Sequence, residues 1–188
     1  MECGAFAGIT ESCCKFFEEF KGWQCINVEP VPHLYDMLVA HRPLSINIRA
    51  ALTSPKLAER ASILFKHAIH PELGQNFGNG SINHTPKHLQ ALRTRGCDFK
   101  TLSVRPITYS ALVVEAGITE LDLMVLDAEG HELECIEGML ECPVLQKVFC
   151  AEHGHLGGEI EKALQPLGYH LDSESHNNSF FVRKHRER

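Results

Sequence analysis

The sequence predicts one α/β domain built on a mostly parallel sheet with an antiparallel edge. Three observations carry this reading. Short apolar segments alternate with segments of helical period, as in a parallel sheet crossed by helices. The run Leu121 to Leu126 (Leu-Asp-Leu-Met-Val-Leu) is nearly all apolar, as a strand buried on both faces requires. Near the C-terminus two strand-like segments flank a polar turn short enough to imply an antiparallel hairpin. The 188 residues suit a single domain, 1–188, burying about 70% of the surface of its unfolded chain.

The elements follow in order. Cys13, Phe16, Phe17 and Phe20 share one face of a helix expected over Thr10 to Lys21, capped by Thr10 and stopped by Gly22. Gln24 to Glu29 reads as a strand. Pro32 opens a second helix with Leu34, Tyr35, Leu38 and Val39 inward. Apolar residues alternate at Ile46, Ile48, Ala50 and Leu52, so Ser45 to Thr53 reads as one strand. Arg60 to Ala68 fits strand or helix. Residues 70 to 98 are rich in Gly, Asn, His and Pro and read as an irregular crossing with a short helix near His88 to Arg95. Val104 to Ile107 is strand-like, Tyr109 to Glu115 helical, and Gly117 ends that helix. After the strand at Leu121 to Leu126, a helix is expected over Glu129 to Leu140, with Leu133, Ile136 and Leu140 inward. Val148 to Ala151 is another buried strand. Ile160, Ala163, Leu164 and Leu167 mark the last helix. Tyr169 to Leu171 and Phe180 to Val182 flank the turn Asp172 to Asn178.

Charge and composition exclude several functions. The net charge is −6, so there is no basic footprint for nucleic acid. The basic residues Arg183, Lys184, Arg186 and Arg188 read as a solvated tail. No apolar run reaches membrane-spanning length. The eight cysteines include no C-x-x-C pair, and the N-terminus lacks the basic start and apolar core of a signal peptide. Free thiols in a reducing cytoplasm are expected.

Three constellations carry chemistry. Gly4-Ala5-Phe6-Ala7-Gly8 lies just before the first helix, where glycines let the backbone approach a ligand closely. Glu29-Pro30 ends the second strand. An acid about 20 residues after a glycine-rich turn can bind both hydroxyls of a ribose. The spacing G-x-x-x-G, rather than G-x-G-x-x-G, suits an adenosine ligand without pyrophosphate and disfavours a nicotinamide-dependent oxidoreductase. Asp127-Ala128-Glu129-Gly130-His131-Glu132 follows the most apolar strand, where open α/β sheets bind ligands. The bland alternative is a helix N-terminus capped by Asp127, with Glu129 and Glu132 favoured by the helix dipole.

Taken together, these segments resemble the successive signatures of FkbM-type S-adenosylmethionine-dependent methyltransferases. The resemblance continues through Ile136-Glu137-Gly138, Cys150-Ala151-Glu152-His153 and Asn177-Asn178-Ser179-Phe180-Phe181, and its most specific part is D-x-E-G-x-E. It implies the class I methyltransferase (Rossmann-like) fold, with helices on both faces of the sheet. It implies S-adenosylmethionine as cofactor, with Gly4, Ala5, Phe6 and Gly8 along its methionine part, Glu29 with Pro30 at the ribose, Ala50 and Ala51 near the adenine, and Asp127 on the sulfonium side. The implied acceptor is a hydroxyl of a small molecule, sugar-like or natural-product-like. The family usually carries Asn at the position of Phe6. Its first strand is usually longer than the stretch before Gly4, so a truncated first strand is expected here, and the alternative reading is a methyltransferase-fold binding domain with impaired catalysis.

Transfer to a hydroxyl gains from a positioned base. Asp127 and His153 are the expected candidates, with Glu129 as a catalytic partner and Glu152 at the substrate; His131 and His155 rank behind them. The crossing from His70 to Cys97 is expected to cover the substrate, with His84 as a contact. A divalent ion held by Asp127, Glu152, His153 and His155 lacks a ligand-spaced motif, so no metal is expected.

Overall fold

The computed structural model describes residues 1–152 and 156–183. From the N-terminus come β1 (Glu2–Cys3), α1 (Lys15–Lys21), β2 (Ile26–Val28), α2 (Pro32–His41) and β3 (Ile46–Ile48). A middle segment adds β4 (Ala51–Leu52), α3 (Pro55–Ala58), β5 (Ile63–Ile69), β6 (Gly80–Ser81), α4 (Pro86–Thr94), β7 (Asp98–Val104) and β8 (Pro106–Ile107). The last third holds α5 (Tyr109–Glu115), β9 (Leu123–Leu126), α6 (Glu132–Glu137), β10 (Val148–Glu152), α7 (Gly157–Leu164), a 3-10 turn (Gln165–Leu167), β11 (Tyr169–Ser175) and β12 (Asn178–Arg183).

Seven strands form the central sheet in the order β11-β12-β10-β9-β1-β2-β3. The five from β10 to β3 run parallel, while β12 and β11 complete the edge antiparallel. The chain enters at the middle of the sheet, fills one side with β2 and β3, then crosses to set β9 on the other side of β1. That reversal opens a crevice outside the carboxyl ends of β1 and β9.

The core follows from strand alternation. Met124, Leu126, Phe149, Ala151 and Phe181 point to one face and pack with Leu112 of α5, Ile136 of α6, and Ile160 and Leu164 of α7. Val125 and Cys150 point to the other and meet Cys14 and Cys25. Helix α2 adds Leu34, which packs with Val31, Ala51 and Phe65. All eight cysteines are free thiols. Among the described residues no helix is long and apolar enough to cross a membrane.

Several elements differ from the sequence expectation. Helix α1 begins at Lys15, not Thr10, because the buried carboxylate of Glu2 gathers Ser12 Oγ and the amides of Cys13 and Cys14, holding the segment before the helix in turns. Its expected inner face is not buried: Phe16 and Phe20 are 53% and 70% exposed. The single strand expected over Ser45 to Thr53 breaks after Ile48. β4 leaves the central sheet to pair with β8, Ala51 N donating to the Arg105 carbonyl and Thr53 N, just past β4, to that of Ile107. Arg60 to Ala68 resolves as strand β5, which joins β6 and β7 in a separate antiparallel sheet. Within the crossing, Thr85 caps α4 by accepting from His88 N at 3.1 Å.

Helix α6 starts at Glu132 rather than Glu129. Glu129 and Gly130 have φ of 53° and 101°, which no right-handed helix admits. Leu140, expected inward, is half exposed. The hairpin strands run longer than expected and leave only His176-Asn177 as the turn. The polar stretch Asp172 to Ser175 is exposed along the edge strand β11, so burial does not exclude it.

Phe149 is fully buried where β10 meets Tyr169 and Phe181. Phe149→Ala is expected to cost about 3–5 kcal/mol of folding stability. The check is the midpoint of urea unfolding at unchanged m-value.

Candidate active site

The crevice at the reversal is a cleft lined by the end of β1 (Cys3, Gly4, Phe6), the end of β2 (Val28 to Val31), Ala50 to Leu52, and Leu126 to Glu129 with His131. The middle segment covers it with Phe65, His67, Gly78, Gly80 and Ile82.

Gly4 sets the closest approach. Its φ is +88°, and a Cβ there would stand 2.3 Å from the Asp127 carbonyl oxygen, so only glycine fits. Gly4 N and Ala5 N both donate to the Val28 carbonyl at 3.1 Å. Gly8 serves a different purpose, since a Cβ on it would meet Leu38 Cδ1 at 2.6 Å and Arg42 Cγ at 2.9 Å. It lets the turn lie against α2. Phe6 adopts φ +50° without being glycine, a conformation that Asn enters more easily.

Glu29 ties the β1 turn to the end of β2. Phe6 N donates to its Oε2 at 3.0 Å and Val31 N to its Oε1 at 2.8 Å. The side chain is almost wholly buried. Burial pushes its pKa up to about 8, against the lowering pull of the two amides. Each carboxylate oxygen keeps a second acceptor position.

Beyond β9, Glu132 reaches back and accepts from Ala128 N at 3.0 Å and Gly130 N at 3.1 Å. It thus holds the turn rather than the ligand. The cap reading of Asp127 does not hold, because His131 occupies the N-cap position of α6. Asp127, Glu129 and Glu152 each offer a carboxylate oxygen within 4.8 Å of the others, close enough for one ion to touch all three. Burial and then the neighbouring carboxylates raise the pKa of Asp127 and of Glu129, with Arg95 opposing at Glu129. Asp127 Oδ1 is buried with no hydrogen-bond partner among the described residues.

His88 adjoins this cluster, its Nδ1 lying 3.2 Å from Glu129 Oε2 and 3.3 Å from His84 Nδ1. His84 Nε2 faces the Lys66 carbonyl at 3.1 Å and must carry the proton, so its Nδ1 is bare. His88 Nε2 lies 3.1 Å from Asn79 Oδ1 and donates to it, so in the neutral ring Nδ1 is free to accept from the protonated form of Glu129.

Against known protein families, the model described as the methyltransferase FkbM domain matches residues 2–171. The chain belongs to the FkbM methyltransferase family. No curated protein and no solved structure matches it.

In this FkbM domain the structure brings most of the expected site residues together. Gly4, Phe6, Glu29, Pro30, Ala50, Ala51, Asp127 and Glu129 line one cleft. Glu152 joins from the end of β10 through the carboxylate cluster. Ala5 and Gly8 shape the turn from outside the lining, Ala5 being fully buried. His84 is also outside it, with both ring nitrogens facing protein atoms. His131 lines the cleft with its Nε2 2.9 Å from Thr53 Oγ1. His153 and His155 lie outside the described residues.

Sequence reasoning passed over His67 and His88. His67 stands in register with Ile63 and Phe65, all three buried on one face of β5. A histidine in an inward strand register was the available signal, but it is readable only once Arg60 to Ala68 is known to be a strand.

The raised carboxyls fix a pH dependence. Glu29, Asp127 and Glu129 hold protons more tightly folded than unfolded, where carboxyls titrate near about 4. Their contribution to stability is therefore lost as pH rises, for Glu29 and Glu129 through about 8. The buried His67 and His84 carry the opposite sign but act only below about pH 6.5. The melting temperature is expected to fall from about pH 7 to about pH 8, and Glu129→Gln, a neutral isostere, to flatten the fall. Scanning calorimetry at the two pH values decides this, and a rise across the window would contradict it.

Proposed function

We propose that the chain is an S-adenosylmethionine-dependent methyltransferase acting on a hydroxyl of a small, sugar-like or natural-product-like acceptor. The observation that carries the reading is the cleft itself. A glycine with no room for a Cβ, an acid clamped at the end of the next strand, and a carboxylate with an unpartnered buried oxygen all face one space. The donor set suits this cofactor: close backbone approach for the methionine part, the free acceptor positions of Glu29 for two ribose hydroxyls, and an acidic end for a cationic centre. The acceptor class follows the family resemblance.

When bound, the cofactor supplies an electrophilic methyl group on sulfur. Gly4 and Phe6 orient it, Glu29 holds the ribose, and the middle segment excludes water. Asp127, in its ionised form, accepts the proton of the attacking hydroxyl. The adjacent Glu129 and Glu152 disfavour the ionised form of Asp127 and so strengthen it as a proton acceptor. Glu129 keeps its own proton directed at His88, which limits the negative charge that the cluster carries.

Titration calorimetry with S-adenosylhomocysteine tests the cofactor site. The wild-type chain is expected to bind, and Glu29→Gln, with folding checked by circular dichroism, to bind at least about tenfold more weakly, the scale of leaving a buried hydrogen-bonding group unpaired. A folded wild-type chain that does not bind would end the enzyme reading. Once an acceptor is found by screening, Asp127→Asn is expected to lower kcat about 100-fold or more with cofactor affinity retained.

A further inference from the structure

We propose that His67 reads the base of the cofactor, its Nδ1 accepting a hydrogen bond from the 6-amino group of adenine. The inference rests on the cofactor reading above and assigns the chemistry of the cleft's far end.

The tautomer of His67 is fixed by its surroundings. His67 Nε2 lies 2.8 Å from the Gln75 carbonyl oxygen. A carbonyl oxygen has no proton to give, so Nε2 carries the ring proton and Nδ1 presents a bare lone pair. Burial disfavours the charged ring, with the Gln75 contact opposing, and the pKa is lowered. His67 is 1% exposed, and Nδ1 has no hydrogen-bond partner among the described residues. Buried acceptors left unpaired are uncommon in native structures and costly, and His67 lines the cleft.

The residue set against Nδ1 is a glycine. A Cβ on Gly80 would stand 3.4 Å from Nδ1 and 2.4 Å from the Phe65 ring. Any larger residue there would close the approach. The surrounding walls, Val31, Leu34, Ala51 and Phe65, are apolar. Apolar walls with one buried acceptor suit a flat aromatic ring that carries an amino donor at its rim. The carboxylates Asp127, Glu129 and Glu152 are gathered in a cluster of their own, and the charged neighbours that act on His67 include His33 and Lys100. A ligand whose sulfonium faces Asp127 and whose ribose meets Glu29 thus has its base left for the His67 end.

The test varies the ligand first. Calorimetry compares S-adenosylhomocysteine with its analogue carrying hydrogen in place of the 6-amino group. The wild-type chain is expected to prefer the amino ligand about tenfold, the scale of leaving a buried acceptor unpaired. His67→Leu is expected to bind both ligands equally. Nitrogen-15 spectra of the histidine-labelled chain should show the Nδ1 resonance of His67 shifting with the amino ligand and not with the analogue, a readout that stands if the variant does not fold. Equal binding of the two ligands by the wild-type chain, or an Nδ1 resonance indifferent to the amino group, would overturn the assignment and leave the cofactor reading intact. Binding of neither ligand would overturn both.

Discussion

The site depends on how closely the turn after β1 approaches the end of β9. Strand β1 is two residues long, yet it is bonded on both sides: Asp127 N donates to the Cys3 carbonyl at 3.0 Å, and Gly4 N and Ala5 N to that of Val28. Those bonds bring the backbone at Gly4 against the Asp127 carbonyl, where only a hydrogen fits. Any side chain at this position would wedge the two strand ends apart. The crevice would widen, and Glu29 and Asp127 would lose the common space they now face. A short central strand is enough to shape a cleft when its neighbours fix it from both sides.

The carboxylates around the cleft fall into two groups. Glu2, Glu29 and Glu132 are buried, and each accepts backbone N–H groups from a loop bordering the site. Those loops contain Phe6, Glu11 and Glu129 at positive φ, so their amides cannot enter a helix or strand ladder and need another acceptor. A carboxylate, with about four acceptor positions, satisfies two or three at once. Among the described residues, Asp127 and Glu129 have no such backbone donors and face other carboxylates instead. The first group fixes the loops. The second is where a proton or a cation changes most, which is why the proposed chemistry sits there.

Much of this was legible in the sequence, and the parts that were not share a cause. The parallel sheet was readable because strands buried on both faces, such as Leu123–Leu126 and Val148–Glu152, need near-continuous apolar runs. Gly4, Glu29 and Asp127 were readable because sequence spacing tracks the turn that follows each strand. What alternation cannot show is a strand changing sheets: Ile46 to Leu52 keeps its period through the break at Arg49-Ala50. Helix starts were misplaced where a distant side chain, Glu2 for α1, decides where the turns end. His88 and His67 went unnoticed because their partners, Glu129 and Gln75, meet them only through the tertiary fold.

The middle segment does more than cover the cleft. Ser81 Oγ donates to the Ala128 carbonyl at 2.9 Å, and a Cβ on Gly130 would stand 2.9 Å from the Asn83 carbonyl. The covering sheet is therefore packed onto the same turn that carries Asp127 and Glu129. His88, on the helix that follows, touches Glu129 from the same side. Interlocked backbone of this kind deforms less readily than a loop hinged at its ends. A ligand that settles against Phe65 and His67 thus bears on the segment that positions the carboxylates. The His67 end of the cleft and the acidic cluster are joined through two short contacts, although their residues come from strands of different sheets.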